Sequence, residues 1–190
     1  MKIAKTTKTT KWMIASDIHG DYECAKRLAE TYEQSGAERL ILLGDLLYHG
    51  PRNDLPAGYA PKKVIALLNE MKSELLCVRG NCDTEVDQMV LEFPILADYA
   101  YLSVDGHSIF ATHGHNHNLT KLPPLKAGEI LLHGHTHVPA AEKFGDGNLY
   151  LNPGSTSIPK ENSPKSYLLY ENGVFTFCDL FGGVYRTYEV

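Results

Sequence analysis

The chain has few cysteines and no long apolar run, and each absence excludes a class of protein. The four cysteines, Cys24, Cys77, Cys82 and Cys178, form no CxxC pair, so neither a disulfide framework nor a thiolate-rich structural zinc site is expected. No stretch approaches the ~18 apolar residues that a membrane span needs. The positively charged N-terminus lacks the apolar segment of a signal peptide. We therefore expect a cytoplasmic protein with no membrane partner.

Positive charge is also scarce. The formal net charge is −5, and lysines are dense only in the first eleven residues. Long nucleic acid is therefore an unlikely partner, because its binding depends on clustered Lys and Arg. The Lys/Thr-rich start itself predicts a frayed end.

Length and pattern predict one α/β domain over residues 1–190. One helix should lie between Asp21, which can cap it, and Gly36, and a second should begin at Pro61. These helices alternate with three apolar strands: Trp12–Ser16, Arg39–Leu43 and Glu74–Val78. Such alternation is typical of parallel strands in an α/β layer.

The second half of the chain is rich in strands. Eight short segments between Tyr99 and Glu189 have strand character, and the dipeptides Asp105-Gly106, Asp146-Gly147 and Asn172-Gly173 are hairpin signals. We therefore expect a second sheet packed on the first. The Pro- and Gly-rich stretch Tyr48–Ala60 predicts a long surface loop.

Five polar clusters each follow a predicted strand. They are Asp17-Ile18-His19, Gly44-Asp45, Gly80-Asn81-Cys82-Asp83, His113-Gly114-His115 and His133-Gly134-His135-Thr136-His137. Ligands of α/β sheets bind outside the carboxyl ends of the strands, so these clusters can converge on one point. Imidazole and carboxylate together suit Mn, Fe, Zn, Co or Ni.

Each cluster alone has an ordinary explanation. Asp17 could cap a helix, Gly44-Asp45 is a common turn, and Asn81 could be a turn residue. His135 and His137 alone could occupy an exposed strand face. All five clusters, in this order and each after an apolar strand, favour metal binding over the separate explanations.

The series D-x-H, G-D, G-N-x-D, H-G-H and G-H-T-H resembles the signature of calcineurin-like metallophosphoesterases. The finer pattern is similar to small bacterial YfcE-type phosphodiesterases and to the retromer subunit Vps29, through the segments Arg79–Asp83, Thr112–His115, Asn152–Ser155 and His49–Asn53. The resemblance runs from about Trp12 to Pro159. It implies a four-layer αββα sandwich of two mixed β-sheets flanked by helices.

The resemblance also implies a set of ligands for two divalent cations. One cation would be held by Asp17, His19 and His137, and the other by Asn81, His113 and His135. Asp45 would bridge both cations as a catalytic residue, and Asn81 would also contact substrate. Mn²⁺ is the favoured ion, with Fe, Zn, Co or Ni as alternatives. A hydroxide shared by the two ions would attack phosphorus.

Several neighbouring residues have more than one interpretation. Cys82, which is expected to contact substrate, stands where many members have a proton-donating His. It either restricts the enzyme to diesters and activated leaving groups or has only a packing role. His115 either acts in catalysis, by contacting substrate or donating a proton, or it lies behind the metal ligands or in solvent. His49 and Arg52 either bind phosphate or are solvated. Asp83 either orients a ligand histidine or caps a helix.

Three functions follow from this set. The first is a phosphodiesterase for small diesters, the second a Vps29-like interaction scaffold, and the third a nuclease for short oligonucleotides. A scaffold can lose ligands freely, yet all seven expected positions are filled, which favours the enzyme. The strand-rich second half could also pair across a symmetric interface, so a homo-oligomer is an open expectation.

Overall fold

The computed structural model describes residues 10–190 as two β-sheets and three helices. The predicted frayed N-terminal segment lies outside these residues. The helices are α1 Tyr22–Ser35, α2 Pro61–Glu70 and α3 Glu85–Gln88. The strands are β1 Lys11–Ala15, β2 Arg39–Leu42, β3 Leu75–Cys77, β4 Tyr99–Val104, β5 His107–Thr112, β6 Ile130–His133, β7 Ala140–Phe144, β8 Asn148–Asn152, β9 Ser166–Glu171, β10 Val174–Asp179 and β11 Val184–Glu189. Every strand predicted from the sequence is present.

The first sheet has six strands in the order β11-β10-β9-β1-β2-β3. Strands β1, β2 and β3 are parallel, as the alternation with helices predicted, and β9, β10 and β11 run antiparallel to their neighbours. The predicted helix signals are confirmed. Asp21 caps α1 by accepting a hydrogen bond from the Cys24 amide (3.1 Å), Gly36 ends α1 at φ 70°, and Pro61 begins α2.

The second sheet has five strands in the order β4-β5-β6-β8-β7. Strands β5, β6 and β8 are parallel, and β4 and β7 pair antiparallel at the two edges. The predicted turn at Asp105-Gly106 joins β4 to β5, with both residues at positive φ (48° and 86°) as a type I′ hairpin requires. The prediction of two mixed sheets in an α/β fold is confirmed.

Side chains of β1 alternate between two cores. Met13 and Ala15 face α1 and α2, whereas Ile14 points the other way and packs between the sheets. The cluster between the sheets takes Ile109 and Leu132 from the second sheet, and all of these side chains are fully buried. Burying each large aliphatic side chain contributes ~1.5–3 kcal/mol, so this two-sided burial fixes the register of the strands that carry the polar clusters.

The outer face of the second sheet differs in detail from the implied fourth layer. In residues 10–190, both long helices pack on the first sheet, and no helix covers the outer face of the second. That face is an aromatic cluster of Phe110 and Tyr150, against which Leu125 from the β5–β6 connection packs. A loop thus supplies there the apolar cover that the sequence resemblance assigns to a helix.

None of the helices within residues 10–190 combines the length and the apolar character needed to cross a bilayer.

Candidate metal centre

The polar clusters meet at one edge of the sandwich because the strands before them run parallel. The Asp17 amide, after β1, donates to the Gly44 carbonyl after β2 at 3.1 Å. The turns of the two sheets are also joined, since the His135 amide donates to Asp17 Oδ2 at 3.0 Å. Side chains far apart in the sequence therefore converge from five strand ends.

Backbone strain is concentrated at this edge. Nine non-glycine residues of the described chain have positive φ, and five of them belong to the predicted ligand set: Asp17, His19, Asp45, His135 and His137. Left-handed backbone costs a non-glycine residue ~1–2 kcal/mol, and such strain clusters at functional sites. The sharp turns direct these side chains back over the strand ends.

Three of the predicted ligands form a first group. Asp17 Oδ1 lies 3.4 Å from His19 Nε2 and 3.2 Å from His137 Nε2, and the two imidazole nitrogens are 3.3 Å apart. Ligand atoms about 2.1 Å from one cation lie about 3.0 Å apart at right angles and about 3.4 Å apart at the tetrahedral angle. The three atoms therefore have the spacing of ligands around one ion.

The other three predicted ligands form a second group. His113 Nε2 lies 3.0 Å from Asn81 Oδ1 and 3.1 Å from His135 Nδ1. These separations again match the edges of a coordination polyhedron. Asn81 is exposed and His135 is half-buried, so this side of the centre opens toward solvent.

Asp45 lies between the two groups. Its Oδ2 is 3.7 Å from His19 Nε2 and 3.5 Å from His113 Nε2. Its Oδ1 points the other way and accepts a hydrogen bond from the Cys82 amide at 2.8 Å. The carboxylate is thus fixed by the backbone on one side and offers its other oxygen to both groups.

Main-chain carbonyls orient three of the predicted ligand imidazoles. The Nδ1 atoms of His19, His113 and His137 lie 2.8, 2.7 and 2.6 Å from the carbonyl oxygens of Tyr48, Leu43 and Ile158. A carbonyl only accepts, so each Nδ1 carries a proton, and a ring without a second proton turns its Nε2 lone pair toward the carboxylates. That arrangement is repulsive unless a cation lies between them.

Two observations fit a bound cation. Asp17 Oδ1 is buried without a hydrogen-bond donor, which is costly for a carboxylate unless a positive charge compensates it. His113 faces acceptors through both nitrogens, because Asn81 Oδ1 lies at Nε2 and the Leu43 carbonyl at Nδ1. In the absence of metal, a proton on Nε2 therefore takes the place of the ion.

Electrostatics agrees with this interpretation. Burial lowers the pKa of His113, but the hydrogen bond to Asp45 and the charges of Asp17 and Asp45 outweigh it and raise the pKa to about 9. Burial raises the pKa of the Asp17 carboxyl, yet the neighbouring imidazoles of His137, His19 and His113 bring it well below its usual value. Burial and the positive His113 lower the pKa of His135 to about 4, so that ring is neutral at pH 7. The centre is organised around added positive charge.

Comparison with known proteins identifies the family. Residues 11–172 match the domain of the calcineurin-like phosphoesterase superfamily. The chain belongs to this superfamily. Phosphodiesterase YfcE of Escherichia coli K12 is 49% identical over 166 residues, which are 87% of this chain and 90% of that protein. The family predicted from the sequence is confirmed.

Two solved structures share the fold. A structure of YfcE, described as a phosphoesterase from E. coli, superimposes with a TM-score of 0.91 at 45% identity, and the match covers 95% of this chain and 99% of that one. Vacuolar protein sorting 29 from Cryptosporidium parvum reaches a TM-score of 0.62 at 16% identity, covering 96% and 99% of the two chains. At that identity, the second likeness concerns the fold alone.

A narrow cleft lies over the ligand atoms of this phosphoesterase chain. Asp45, Asn81 and His135 form its floor, together with His137 and Cys82. The loop after β2 forms one wall and brings Arg52 to the cleft, whereas Lys160 comes from the segment after β8. Sequence reasoning missed Lys160. Its amide donates to the His137 carbonyl at 3.1 Å, a link that the run Asn152–Lys160 does not reveal.

The structure places His49 differently from the substrate-binding role predicted beside Arg52. His49 is not among the residues that line the cleft. Its ring packs between Tyr48 and Tyr59, with centroids 4.8 and 5.4 Å away. The polypeptide turns at Gly50 (φ 79°), which lies between the two residues, and of the two only Arg52 lines the cleft.

Cys82 lines the cleft but has little acid or thiolate chemistry to offer. Its thiol is buried and 3.2 Å from Asn81 Nδ2. Burial and the neighbouring Asp45 raise the pKa of the Cys82 thiol far above its usual value, so the group stays a neutral thiol. Because a thiol is a weak hydrogen-bond donor, it is a poor proton donor to a leaving group.

His115 lies beside the second group of ligands. Its ring centroid is 5.5 Å from that of His113, and its Nε2 accepts from Asn116 Nδ2 at 3.0 Å. Burial and the positive His113 lower the pKa of His115. The residue is half-buried and is not among those lining the cleft, so its catalytic role stays a prediction.

Asp83 has a role that differs from both expectations. Its carboxylate accepts hydrogen bonds from the amides of Asp45 (2.8 Å), Leu46 (2.9 Å) and Gly80 (2.8 Å), and contacts no ligand histidine. The cap of α3 is Thr84. Asp83 thus fastens the turn after β2 to the turn after β3, which sets the spacing between Asp45 and Asn81.

Proposed function

We propose that this chain is a metal-dependent phosphodiesterase with two divalent cations. Asp17, His19 and His137 would hold one cation, and Asn81, His113 and His135 the other, with Asp45 shared. The observation that carries the proposal is the shared carboxylate: Asp45 Oδ2 is 3.7 Å from His19 Nε2 and 3.5 Å from His113 Nε2. The 49% identity to a named phosphodiesterase supports the same activity.

The bound cations would supply an activated water and neutralise charge on the phosphoryl oxygens. Mn²⁺ is the proposed ion, since a mixed set of carboxylate, amide and imidazole ligands suits it, and Fe, Zn, Co or Ni would be accepted by the same ligands.

The residues of the chain itself bind and orient the substrate. Arg52 and Lys160 flank the cleft, where their positive charge would hold the negative phosphodiester. Asn81 lies at the exposed side of the centre, where its amide NH₂ can contact a phosphoryl oxygen. His115 would contact the substrate from beside the second group. His49 is held among tyrosines and is better explained as a support of the loop.

The substrate preference follows from Cys82. Because this neutral thiol is a weak acid, the leaving group must depart with little protonation, which favours diesters and activated esters over alkyl monoesters. Turnover of bis(p-nitrophenyl) phosphate should therefore exceed that of an alkyl monophosphate. Faster hydrolysis of the alkyl monoester would contradict the preference.

The activity itself is tested by metal reconstitution. Chelator-treated protein should be inactive toward bis(p-nitrophenyl) phosphate and regain activity with Mn²⁺, with about two ions per chain by elemental analysis. Asp17→Asn should lower both readouts, whereas Asp146→Asn, at the exposed β7–β8 turn, serves as matched control and should change neither. A folded protein that binds metal yet hydrolyses no diester with any of the five ions would favour the scaffold function.

Three wider expectations are proposed with this function. The chain forms one domain over residues 1–190 and acts in the cytoplasm, and a homo-oligomer stays the open expectation stated above. All four cysteines are free, which supports a reducing compartment.

A further inference from the structure

An apolar groove lies next to the cleft, between the loop after β2, the start of α2 and the segment around α3. It has a volume of about 410 Å³, and most of its walls are apolar: Leu47, Tyr48, Tyr59, Ile65, Val86 and Val90. We call it the tyrosine groove. The catalytic chemistry proposed above makes no use of it.

The tyrosine groove is continuous with the metal centre. Cys82 lines both the cleft and the groove. The Tyr48 carbonyl accepts the Nδ1 proton of His19 at 2.8 Å, so one wall of the groove is attached to a predicted ligand. The Tyr59 ring lies against Gly20, where an added Cβ would be 2.6 Å from the ring. Both tyrosines therefore pack on the turn that carries His19.

The groove leaves large apolar side chains exposed to solvent. Tyr48, Val86 and Val90 are 43%, 69% and 44% exposed. Lys62, Thr84 and Asp87 are polar residues in its lining. A pocket with mostly apolar walls and a few polar groups is characteristic of a ligand-binding site.

We propose that the tyrosine groove binds a flat aromatic substituent of the phosphodiester, either a nucleobase or another aryl group. This inference rests on the proposed function. Hydrolysis of a diester releases one substituent, while the other stays bonded to phosphorus and must lie next to the phosphate. The groove begins at Cys82, beside Asp45, and two tyrosines offer ring faces and edges to an aromatic group.

The test compares three diesters with the same leaving group. Methyl p-nitrophenyl phosphate has no aromatic group to stay behind, bis(p-nitrophenyl) phosphate has an aryl group, and p-nitrophenyl thymidine 5′-phosphate has a nucleobase. Dividing each aromatic ester's kcat/KM by that of the methyl ester gives an aromatic preference. Since the esters differ in intrinsic reactivity, the change in this ratio between variants is the readout.

Two variants alter the groove from opposite walls. Tyr48→Ala removes a ring and keeps the carbonyl that aims His19, and the double variant Val86→Ser/Val90→Ser makes the α3 wall polar. Because burying one ring in a partly open site changes binding by about tenfold, each should lower the aromatic preference by about that factor. Met89→Ser is the matched control, since Met89 lies between the two valines, is 84% exposed and does not line the groove.

The outcomes separate the two proposals. A lower ratio for either aromatic ester or for both supports the inference, and the affected ester identifies the preferred aromatic class. If the methyl ester is hydrolysed and both ratios are unchanged in the valine double variant, the groove does not bind substrate. It would then bind another ligand, such as a side chain of a partner protein. If no diester is hydrolysed with any metal, the proposed function fails and the inference fails with it.

Discussion

Replacing Asp45 by Asn tests the shared carboxylate most directly. Asn keeps the shape of the side chain, and its oxygen can still accept from the Cys82 amide, as Asp45 Oδ1 does at 2.8 Å. The substitution removes the negative charge that lies 3.7 Å from His19 Nε2 and 3.5 Å from His113 Nε2. Any loss therefore reflects the charge and its second oxygen.

The expected loss is large because both cations share this ligand. Loss of an outer partner of a metal ligand typically costs about 10–100-fold in metal affinity, and a direct ligand should cost each ion at least as much. The two ions together should lose a combined factor of about 10²–10⁴, and diester hydrolysis should fall by about 10³-fold or more. Elemental analysis, Mn²⁺ titration calorimetry and turnover of bis(p-nitrophenyl) phosphate would measure these effects.

A readout on metal-free protein needs no activity. The hydrogen bond to Asp45 is the largest effect that raises the pKa of His113 to about 9. In Asp45→Asn, the pKa of the His113 imidazole should therefore fall toward its usual value, measured by NMR titration. The reasoning is refuted if the variant binds two Mn²⁺ ions with unchanged affinity and the His113 pKa stays near 9. Asp146→Asn controls for the loss of one negative charge.

Three further predictions concern proton release on metal binding, the steric fit at Gly80 and the role of His115. The pKa of His113 is raised to about 9 and that of His19 is also raised, so Mn²⁺ binding at pH 7.5 should release one to two protons. In acid, the Mn²⁺ affinity should fall about tenfold per pH unit for each proton released. Calorimetry in buffers of different ionisation enthalpy measures the release, and finding none would contradict the prediction. Gly80→Ala should lower metal content and destabilise the protein by ~1–3 kcal/mol, because the added Cβ would overlap Asp45 Oδ1. The control is Gly106→Ala, which should keep full metal content because its added Cβ has no neighbouring atom within contact distance. His115→Ala should retain both metals and reduce turnover, and a loss of metal alongside activity would instead make His115 a support of the ligands.

The strands and the polar clusters that follow them could be predicted from the sequence because both depend on short-range patterns. A strand such as Arg39–Leu42 is followed within a few residues by a polar side chain, here Asp45, and the chain direction of parallel strands then brings Asp17, Asp45 and Asn81 to one edge. The hairpin at Asp105-Gly106 was equally clear, because its backbone needs residues that tolerate positive φ.

The surroundings of the centre were harder to predict because they depend on packing between distant segments. His49 and Arg52 are three residues apart in one loop, yet only Arg52 reaches the cleft, since Tyr59 packs on the His49 ring. Lys160 approaches through a main-chain hydrogen bond to His137, to which no local sequence pattern corresponds. The role of Asp83 was missed for the same reason, because its three partners are backbone amides.

The aiming of the imidazoles by peptide carbonyls affects how the centre responds to sequence change. The carbonyls of Leu43, Tyr48 and Ile158 orient His113, His19 and His137. Side-chain replacement at those three positions leaves the orienting oxygen in place, so alanine scanning would not detect these three contacts. Replacing a single backbone amide by an ester weakens the carbonyl as a hydrogen-bond acceptor and would test how far the ligand orientation depends on it. Because the orienting atoms are main-chain oxygens, the geometry of the centre can persist when the side chains at those positions change.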